Sequence, residues 1–442
     1  MSQSKLPSLS ELEDQIKSSS TDTFDFNPNA LRAEAASAFI QEYVNSVRQQ
    51  LATEKVGIFD ALNRILGEDI VSPINVPAAD NSAMDGFAFN SQVLSSNSNI
   101  RLEVVGTVLA GSSESHPNFN ARTSTLKIMT GAVMPSACDT VIPIELVNEQ
   151  NGVIEFDSKI IKAGDNRRLL GEDLQAGKPA LQAGKLITPS DLGLIASLGI
   201  ANVLVKKKLS VAFFSTGDEI ASIGETLKPG QVFDSNRYTL FGMLSRLGVN
   251  VIDMGVIKDD PVLLREAFMN AADQAEVIIT SGGVSVGEAD FTKKIMRELG
   301  DVAFWKLAIK PGRPMAFGKV KSSNREAVLF GLPGNPVAVM VTFYQFVQAA
   351  LRYMTGASRW ENTTVKAKLG VDIKKRPGRT EYLRGKIKHD ANGMLWVEPT
   401  GSQGSGILRS MSEADCLIIL GHDQTNLKHG DEVNITLFVG LI

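Results

Sequence analysis

The chain has 442 residues, 43% of them hydrophobic and 21% charged, and a net charge of −4. A single hydrophobic core stops growing at roughly 250–300 residues, so at least two domains are required and three or four suit the length better. The acidic balance argues against nonspecific nucleic-acid binding, which needs a basic surface, and no apolar run approaches the ~20 residues that cross a bilayer.

Two cysteines far apart, Cys138 and Cys416, cannot make a thiolate zinc site, and none of the four histidines adjoins a nucleophile motif. Chemistry must then come from carboxylates, lysines, arginines, hydroxyls and backbone amides. The low cysteine count suits a reducing compartment, and the N-terminus lacks a basic stretch followed by an apolar one. A cytoplasmic protein is expected.

Residues 1–27 are rich in Ser, Asp and Thr and read as a largely disordered tail. Ala35, Phe39, Tyr43 and Val47 recur every four residues and predict an amphipathic helix over 30–51; a second helical stretch is expected near 58–66. Over 70–177 short apolar runs alternate with Gly, Pro, Asn and Ser, the pattern of a β-rich region. Thr188 and Pro189 then open a helix as N-cap and first helical residue.

Residues 207–355 alternate strand and helix. Strands are expected at 209–214, 249–256, 277–280 and 327–330, and helices at 235–247, 261–272, 290–299 and 336–352, with Asp260 capping the second. This rhythm predicts a parallel sheet covered by helices on both faces. After residue 360 short strands return. Asp390-Ala391-Asn392-Gly393 marks a hairpin turn between 383–387 and 395–397, and a small β-barrel or sandwich is the natural reading.

Ligands of open parallel sheets bind outside the C-terminal ends of the strands. The loops there are Ser215-Thr216-Gly217-Asp218-Glu219, Lys258-Asp259-Asp260, the run from Ser281 through Gly282, Gly283 and Ser285 to Asp290, and Gly331-Leu332-Pro333-Gly334-Asn335-Pro336. Three glycines and two serines directly after a strand can cradle a phosphate with backbone amides and hydroxyls, although the same composition serves a plain tight turn equally well. Glu219, Asp259 and Asp290 lie in three loops that should converge, and grouped carboxylates near phosphate suit Mg²⁺. Helix capping is the competing role for Asp290. If 303–309 is a strand, Trp305, Leu307 and Ile309 share one face and Lys306 the other. Lys306, Lys310 and Arg313 could then gather at an oxyanion, or form a solvated basic loop.

Taken in order, these segments resemble the molybdopterin molybdenumtransferase family, including its gephyrin-like relatives. The matching residues are 81–88, 128–132, 168–173, 214–219, 234–237, 259–261, 280–290, 304–314, 331–336, 377–379 with Arg384-Gly385, and 401–405, covering nearly everything after residue 30. The resemblance implies Mg²⁺-dependent insertion of molybdate into adenylylated molybdopterin with release of AMP. It also implies a homodimer whose active site is shared between subunits, and a molybdopterin adenylyltransferase as the partner that supplies substrate.

It further implies a multidomain fold. A discontinuous linking domain would take 28–71 and 175–206, and a β-rich domain 72–174. A three-layer αβα domain that binds molybdopterin would take 207–357, and a C-terminal β-barrel 358–442. Carried over by motif, the catalytic set is Asp85, Thr130, Asp173, Glu219, Asp259, Asp290, Lys306 and Lys310. Ser281, Gly282, Gly283, Ser285, Arg313, Arg384 and Ser405 would bind the anionic ligands, and Glu219, Asp259 and Asp290 the magnesium. Phe87 stands where the family commonly has Tyr, and Ala338 where Ser often follows the Gly-Leu-Pro-Gly-Asn-Pro-Val run. The alternatives are a molybdopterin adenylyltransferase or nucleotide-phosphate hydrolase on the same domain, and a non-catalytic scaffold.

Overall fold

In the computed structural model, the described residues are 9, 30–47, 51–95, 98–112, 117–284 and 291–438. Apart from Leu9, the expected N-terminal tail lies outside them. Leu9 itself is buried, and its N–H donates to Asp301 Oδ2 at 3.3 Å.

The expected N-terminal helix is α1, shorter than predicted at Ala33–Val47; Ala35, the first residue of the predicted apolar row, is exposed, whereas Ala36, Phe39, Ile40, Tyr43 and Val44 are buried. They pack in one core with strands and helices of the α/β region. The second helical expectation does not hold. Over 58–66 the chain makes one 3₁₀ turn, Ile58–Asp60, and then Ile65 bridges to Leu186 and Leu66 to Val205, so its backbone groups pair with neighbouring segments instead of within a helix. Helix α2 (Pro189–Ser197) begins as the sequence requires: Thr188 and Asp191 form a capping box and Pro189 occupies the first turn.

Between these segments lies a six-stranded sheet in the order Thr140–Pro143, Gly86–Phe89, Ser124–Ile128, Asn99–Val108, Val153–Asp157, Asn148–Gln150. Alternation sends Phe87 and Phe89 into one small core and Ala88 into another on the opposite face.

The α/β region is built on β1 (Ser210–Thr216), β2 (Asn250–Ile257), β3 (Val277–Ser281), β4 (Gly300–Lys306), β5 (Pro314–Lys321) and β6 (Glu326–Leu332). Their spatial order is β2-β1-β3-β6-β5-β4. Four of them, β2, β1, β3 and β6, are mutually parallel; β5 runs antiparallel to both neighbours. The sheet is therefore mixed rather than purely parallel, since 300–321 folds as a hairpin-like extension of the edge. Val211, Phe213, Ile279 and Phe330 point into one core, with α1, α3 (Ser235–Arg246) and α6 (Pro336–Thr342, continuing through a π-helical turn Phe343–Val347 into Gln348–Met354). Ala212, Phe214, Ile278 and Leu329 face the other core, with α4 (Pro261–Gln274) and α5 (Phe291–Leu299). Asp260 caps α4 as expected, its carboxylate accepting from the Val262 and Leu263 N–H groups.

The last segment closes into a five-stranded barrel of Thr380–His389, Leu395–Pro399, Val365–Leu369, Glu432–Leu437 and Cys416–Leu420. A sixth short strand, Ile309–Lys310, comes from the α/β region and pairs in parallel with Thr380 and Glu381. The hairpin turn is at Asp390, whose Oδ1 accepts from the Asn392 and Met394 N–H groups, and Gly393 takes the left-handed conformation.

Candidate functional site

Strand order reverses between β1 and β3, so their C-terminal ends form the switch point of the sheet. Ser215 and Ser281 are buried cross-strand partners there, their hydroxyls 3.1 Å apart. The chain leaves β3 through Gly282 at φ +92° and Gly283 at φ +63°. A Cβ on Gly282 would lie 2.4 Å from the Thr216 carbonyl oxygen, and one on Gly283 would lie 2.6 Å from Thr292 Oγ1. Both glycines are thus required by backbone conformation and packing alone. The Gly282 N–H is occupied by the Leu332 carbonyl, whereas the Gly283 N–H meets no acceptor among the described residues. Beside it the Thr216 and Thr280 hydroxyls are buried without a hydrogen-bond partner among the described residues.

The carboxylate loops lie next to this point. Gly217 has φ +146°, and its missing side chain leaves room for the Glu219 carboxylate, which folds back over it. Asp218 Oδ1 accepts the Asp259 N–H at 3.4 Å and ties the β1 and β2 loops together. Sequence reasoning passed over Asp218; a short acid beside the left-handed glycine was the available signal. Glu219 and Asp259 are exposed. Asp290 and Ser285 lie outside the described residues. No group of three or more His, Cys, Asp or Glu side chains close enough to hold a metal occurs among the described residues. Exposed carboxylates on two adjoining loops still suit Mg²⁺, which keeps several waters and takes one or two protein ligands beside a substrate phosphate.

On the third side, α3 and the turn before α6 meet. Asp234 caps α3 through Oδ1, and Asn236 Nδ2 donates to the Gly334 carbonyl at 2.7 Å. Asp234 Oδ2 and Asn236 Oδ1 are buried and unpartnered among the described residues.

Lys306 ends β4 and is exposed, with Trp305 buried on the opposite face as alternation requires; Leu307 and Ile309, beyond the end of the strand, are buried through a bridge to Leu31 and pairing with the barrel. Lys310 lies in the strand that joins the barrel, its Nζ 3.5 Å from Glu381 Oε2; Arg379 Nε holds the other oxygen at 3.0 Å. Glu381 is buried. It is a second residue that sequence reasoning missed, visible only once Ile309–Lys310 is known to pair with the barrel. Arg313 is exposed, and its carbonyl accepts from the Leu307 N–H.

Arg384 is fully buried. Its Nε donates to Ser410 Oγ at 3.0 Å and its Nη2 to the Gly404 carbonyl at 3.1 Å, while Nη1 is unpartnered among the described residues. Burial pushes this guanidinium down to about 10. No carboxylate pairs with it among the described residues. The next residue in that loop, Ser405, offers its carbonyl to the Val337 N–H at the start of α6, so the barrel loop and α6, with Ala338, meet directly.

The remaining candidates gather elsewhere. Asp85 Oδ1 accepts both the backbone N–H (2.6 Å) and the hydroxyl (2.8 Å) of Thr130. These bonds, the backbone one foremost, hold its carboxyl below the usual range. Asn81-Ser82 pairs with Arg167-Arg168, and Arg167 and the Leu170 N–H grip Asp80. The Arg167 guanidinium chiefly, then the Leu170 N–H, depresses the Asp80 carboxyl. Asp173 follows in the same segment, its N–H on the Val76 carbonyl; its side chain has no hydrogen bond or ion pair among the described residues. Three sequence-distant loops thus share one edge of the β-rich sheet. Among the described residues, no hydrogen bond or ion pair connects Asp85, Thr130 or Asp173 to 207–357.

Profiles of three regions match this chain in order: the MoeA N-terminal region (domains I and II) at residues 31–199, a probable molybdopterin-binding domain at 212–353, and the MoeA C-terminal region (domain IV) at 366–438. A molybdopterin molybdenumtransferase of Haemophilus influenzae is 41% identical over 394 residues, 88% of this chain and 95% of its own. The chain belongs to the molybdopterin molybdenumtransferase family.

The Bacillus subtilis molybdopterin molybdenumtransferase is 33% identical over 88% of this chain and 91% of its own length. A crystal structure of a molybdopterin biosynthesis MoeA protein from Pyrococcus horikoshii superposes with a TM-score of 0.77 at 27% identity, covering 92% of this chain and 100% of that one. The membership makes the chain a transferase of molybdenum-cofactor biosynthesis. No helix among the described residues is long and apolar enough to cross a membrane.

Proposed function

We propose that this enzyme inserts molybdate into adenylylated molybdopterin and releases AMP, in a site completed by the second subunit of a cytoplasmic homodimer. The observation that supports the reading is the set of polar groups without partners among the described residues at the β1–β3 switch point: the Gly283 N–H and the Thr216 and Thr280 hydroxyls, on loops adjoining those of Glu219 and Asp259. Buried polar atoms without partners are costly, and an anionic ligand bearing phosphate would satisfy them.

In this reading Ser281, Gly283 and Ser285 hold the pterin phosphate, while Gly282, its amide taken by the Leu332 carbonyl, only shapes the turn. Glu219, Asp259 and Asp290 hold Mg²⁺, which when bound polarises the phosphoanhydride. Lys306, Lys310 and Arg313 neutralise the anhydride and the incoming molybdate. Glu381 keeps Lys310 directed while no substrate is present. Arg384 and the Ser405 loop add a cation already stripped of water, and so a stronger field for a divalent oxyanion.

Asp85, Thr130 and Asp173 contribute from the partner subunit. Among the described residues they make no hydrogen bond to the α/β region of their own chain, which supports that arrangement. The domain division expected from the sequence, with 28–71 and 175–206 as one linking unit, is part of the same proposal, as is a molybdopterin adenylyltransferase as supplier of substrate.

The deciding experiment incubates the protein with adenylylated molybdopterin, Mg²⁺ and molybdate, and measures AMP and protein-bound molybdenum. Stoichiometric AMP release that requires both Mg²⁺ and molybdate is expected; AMP release indifferent to molybdate would assign a hydrolase instead.

A further inference from the structure

A cavity of about 680 Å³ shares none of its lining residues with the site described above. It lies where three segments of the fold meet: the bridge between Ile65 and Leu186 with nearby Leu181, the ends of α3 and α6, and the chain at Ser358 that leads toward the barrel. Backbone hydrogen bonds build its walls. The Ser358 N–H donates to the Gly184 carbonyl at 2.8 Å, the Gly184 N–H to Leu66 at 2.8 Å, and the Lys206 N–H to Ile65 at 2.8 Å.

Its charge is one-sided. Arg64 is paired with Glu54, and Lys185 with Asp191 at 2.5 Å. That leaves Lys206, Lys207, Lys208, Arg352 and Arg359 on the lining against the single carboxylate of Glu361. None of these five cations has an ion-pair partner among the described residues. Arg352 is half-buried, and burial holds its guanidinium below the ordinary value. Glu54 beside the cavity offsets part of this charge, its carboxyl lowered chiefly by Arg64 and further by Lys207 and Lys208, but the cations still outnumber the carboxylates, an excess that favours entry of an anion. The rest of the lining includes Leu181, Leu247, Val249 and Leu351, more apolar surface than a bare oxyanion needs. The volume falls in the range of pockets that take small organic ligands, roughly 300–1,000 Å³.

We propose that this cavity is a second anion site, separate from the molybdopterin site, which takes a small organic phosphate: phosphoryl group on Lys207, Lys208 and Arg352, and apolar or aromatic body on the leucine side. The proposal does not depend on the reaction assigned above.

Equilibrium dialysis of AMP against the full-length protein at low ionic strength tests it, using wild type, a Lys207→Glu/Lys208→Glu variant and the milder Arg352→Gln. Each is first shown by circular dichroism and thermal melting to be folded. A Lys306→Ala/Lys310→Ala variant serves to remove the strand-end contribution. The expected result is AMP binding that survives the Lys306/Lys310 change and weakens at least tenfold in both cavity variants, with molybdate-dependent turnover unchanged in the latter.

Affinity within twofold of wild type in the cavity variants would overturn the site, as would the loss of all AMP binding in the Lys306/Lys310 variant. Inorganic phosphate as competitor tests the ligand class. Displacement of AMP by phosphate at equal concentration would overturn the organic part of the proposal, because the apolar wall would then contribute nothing.

Discussion

The two edges that carry the candidate residues are finished to different degrees. At the edge of the β-rich sheet, Asp85 is gripped twice by Thr130, and Asp80 by Arg167 and Leu170. At the α/β switch point the Thr216 and Thr280 hydroxyls, Asp234 Oδ2 and Asn236 Oδ1 are buried without partners among the described residues. A satisfied edge holds its shape before anything binds, and an unsatisfied one gains most when something does. The first behaves as a preset template, the second as a receptor.

The sharpest way to break this comparison is to separate the two edges between subunits. Asp85→Asn and Asp259→Asn homodimers should each lose molybdate-dependent AMP release. Mixed dimers carrying one change per chain should recover about half of wild-type turnover, since one intact site remains; no recovery on mixing would put both edges in the same chain's site.

Next in size is Arg384. Truncation to Ala removes a cation and the bonds to Ser410 and Gly404. It should cost about 2–4 kcal/mol of stability, in keeping with loss of a buried hydrogen-bonded group, together with most of the turnover. Arg384→Met keeps the packing and should regain much of the stability but none of the turnover. Denaturant unfolding beside steady-state rates would separate the two effects.

The glycines offer a smaller test. Gly282→Ala forces a Cβ against the Thr216 carbonyl at a positive φ, and should destabilise by roughly 1–3 kcal/mol, read as a lowered melting temperature. A variant as stable as wild type would mean that the loop is not held as described.

How much of this was legible in the sequence depended on the range of the interaction involved. Helix starts at Thr188 and Asp260 and the turn at Asp390 are set by bonds within a few residues, and their side chains announce them. Strand alternation placed Trp305 on its buried face, but the strand expected over 303–309 ends at Lys306, and Leu307 and Ile309 are buried through a bridge to Leu31 and pairing with the barrel. The antiparallel β5 was not legible, because its direction is fixed by pairing with β6 and β4 rather than by its own residues. Nor was the role of Glu381, which follows from a strand pairing across about seventy residues. Within the site, Glu219 and Asp259 were found by their place after strands. Asp218, which joins their loops, was marked only by its place beside Gly217, and its bond to the Asp259 N–H depends on the β1–β2 pairing, not on any local signal.

The gentlest probe concerns pH. Asp85 has a folded-state carboxyl lowered by Thr130, so its contribution to stability is complete above the ordinary aspartate range, near 3.9, and is lost as pH falls through the lower folded value. Thr130→Val removes the hydroxyl bond and keeps the backbone one. The Asp85 titration, followed by carboxyl-carbon NMR, should therefore move to higher pH by less than it would if both bonds were lost; an unmoved titration would show that the hydroxyl is not a partner.

The short strand Ile309–Lys310 has a practical corollary for anyone dissecting this molecule. It belongs to the α/β region by chain position and to the barrel by hydrogen bonding, and barrel residues Tyr382, Met411 and Leu417 pack into the same core as β1 and α6. Cutting the chain between the two regions would strand a basic hairpin without its sheet and lay bare a greasy flank. An excised α/β fragment should therefore aggregate, and soluble pieces should require the barrel to stay attached.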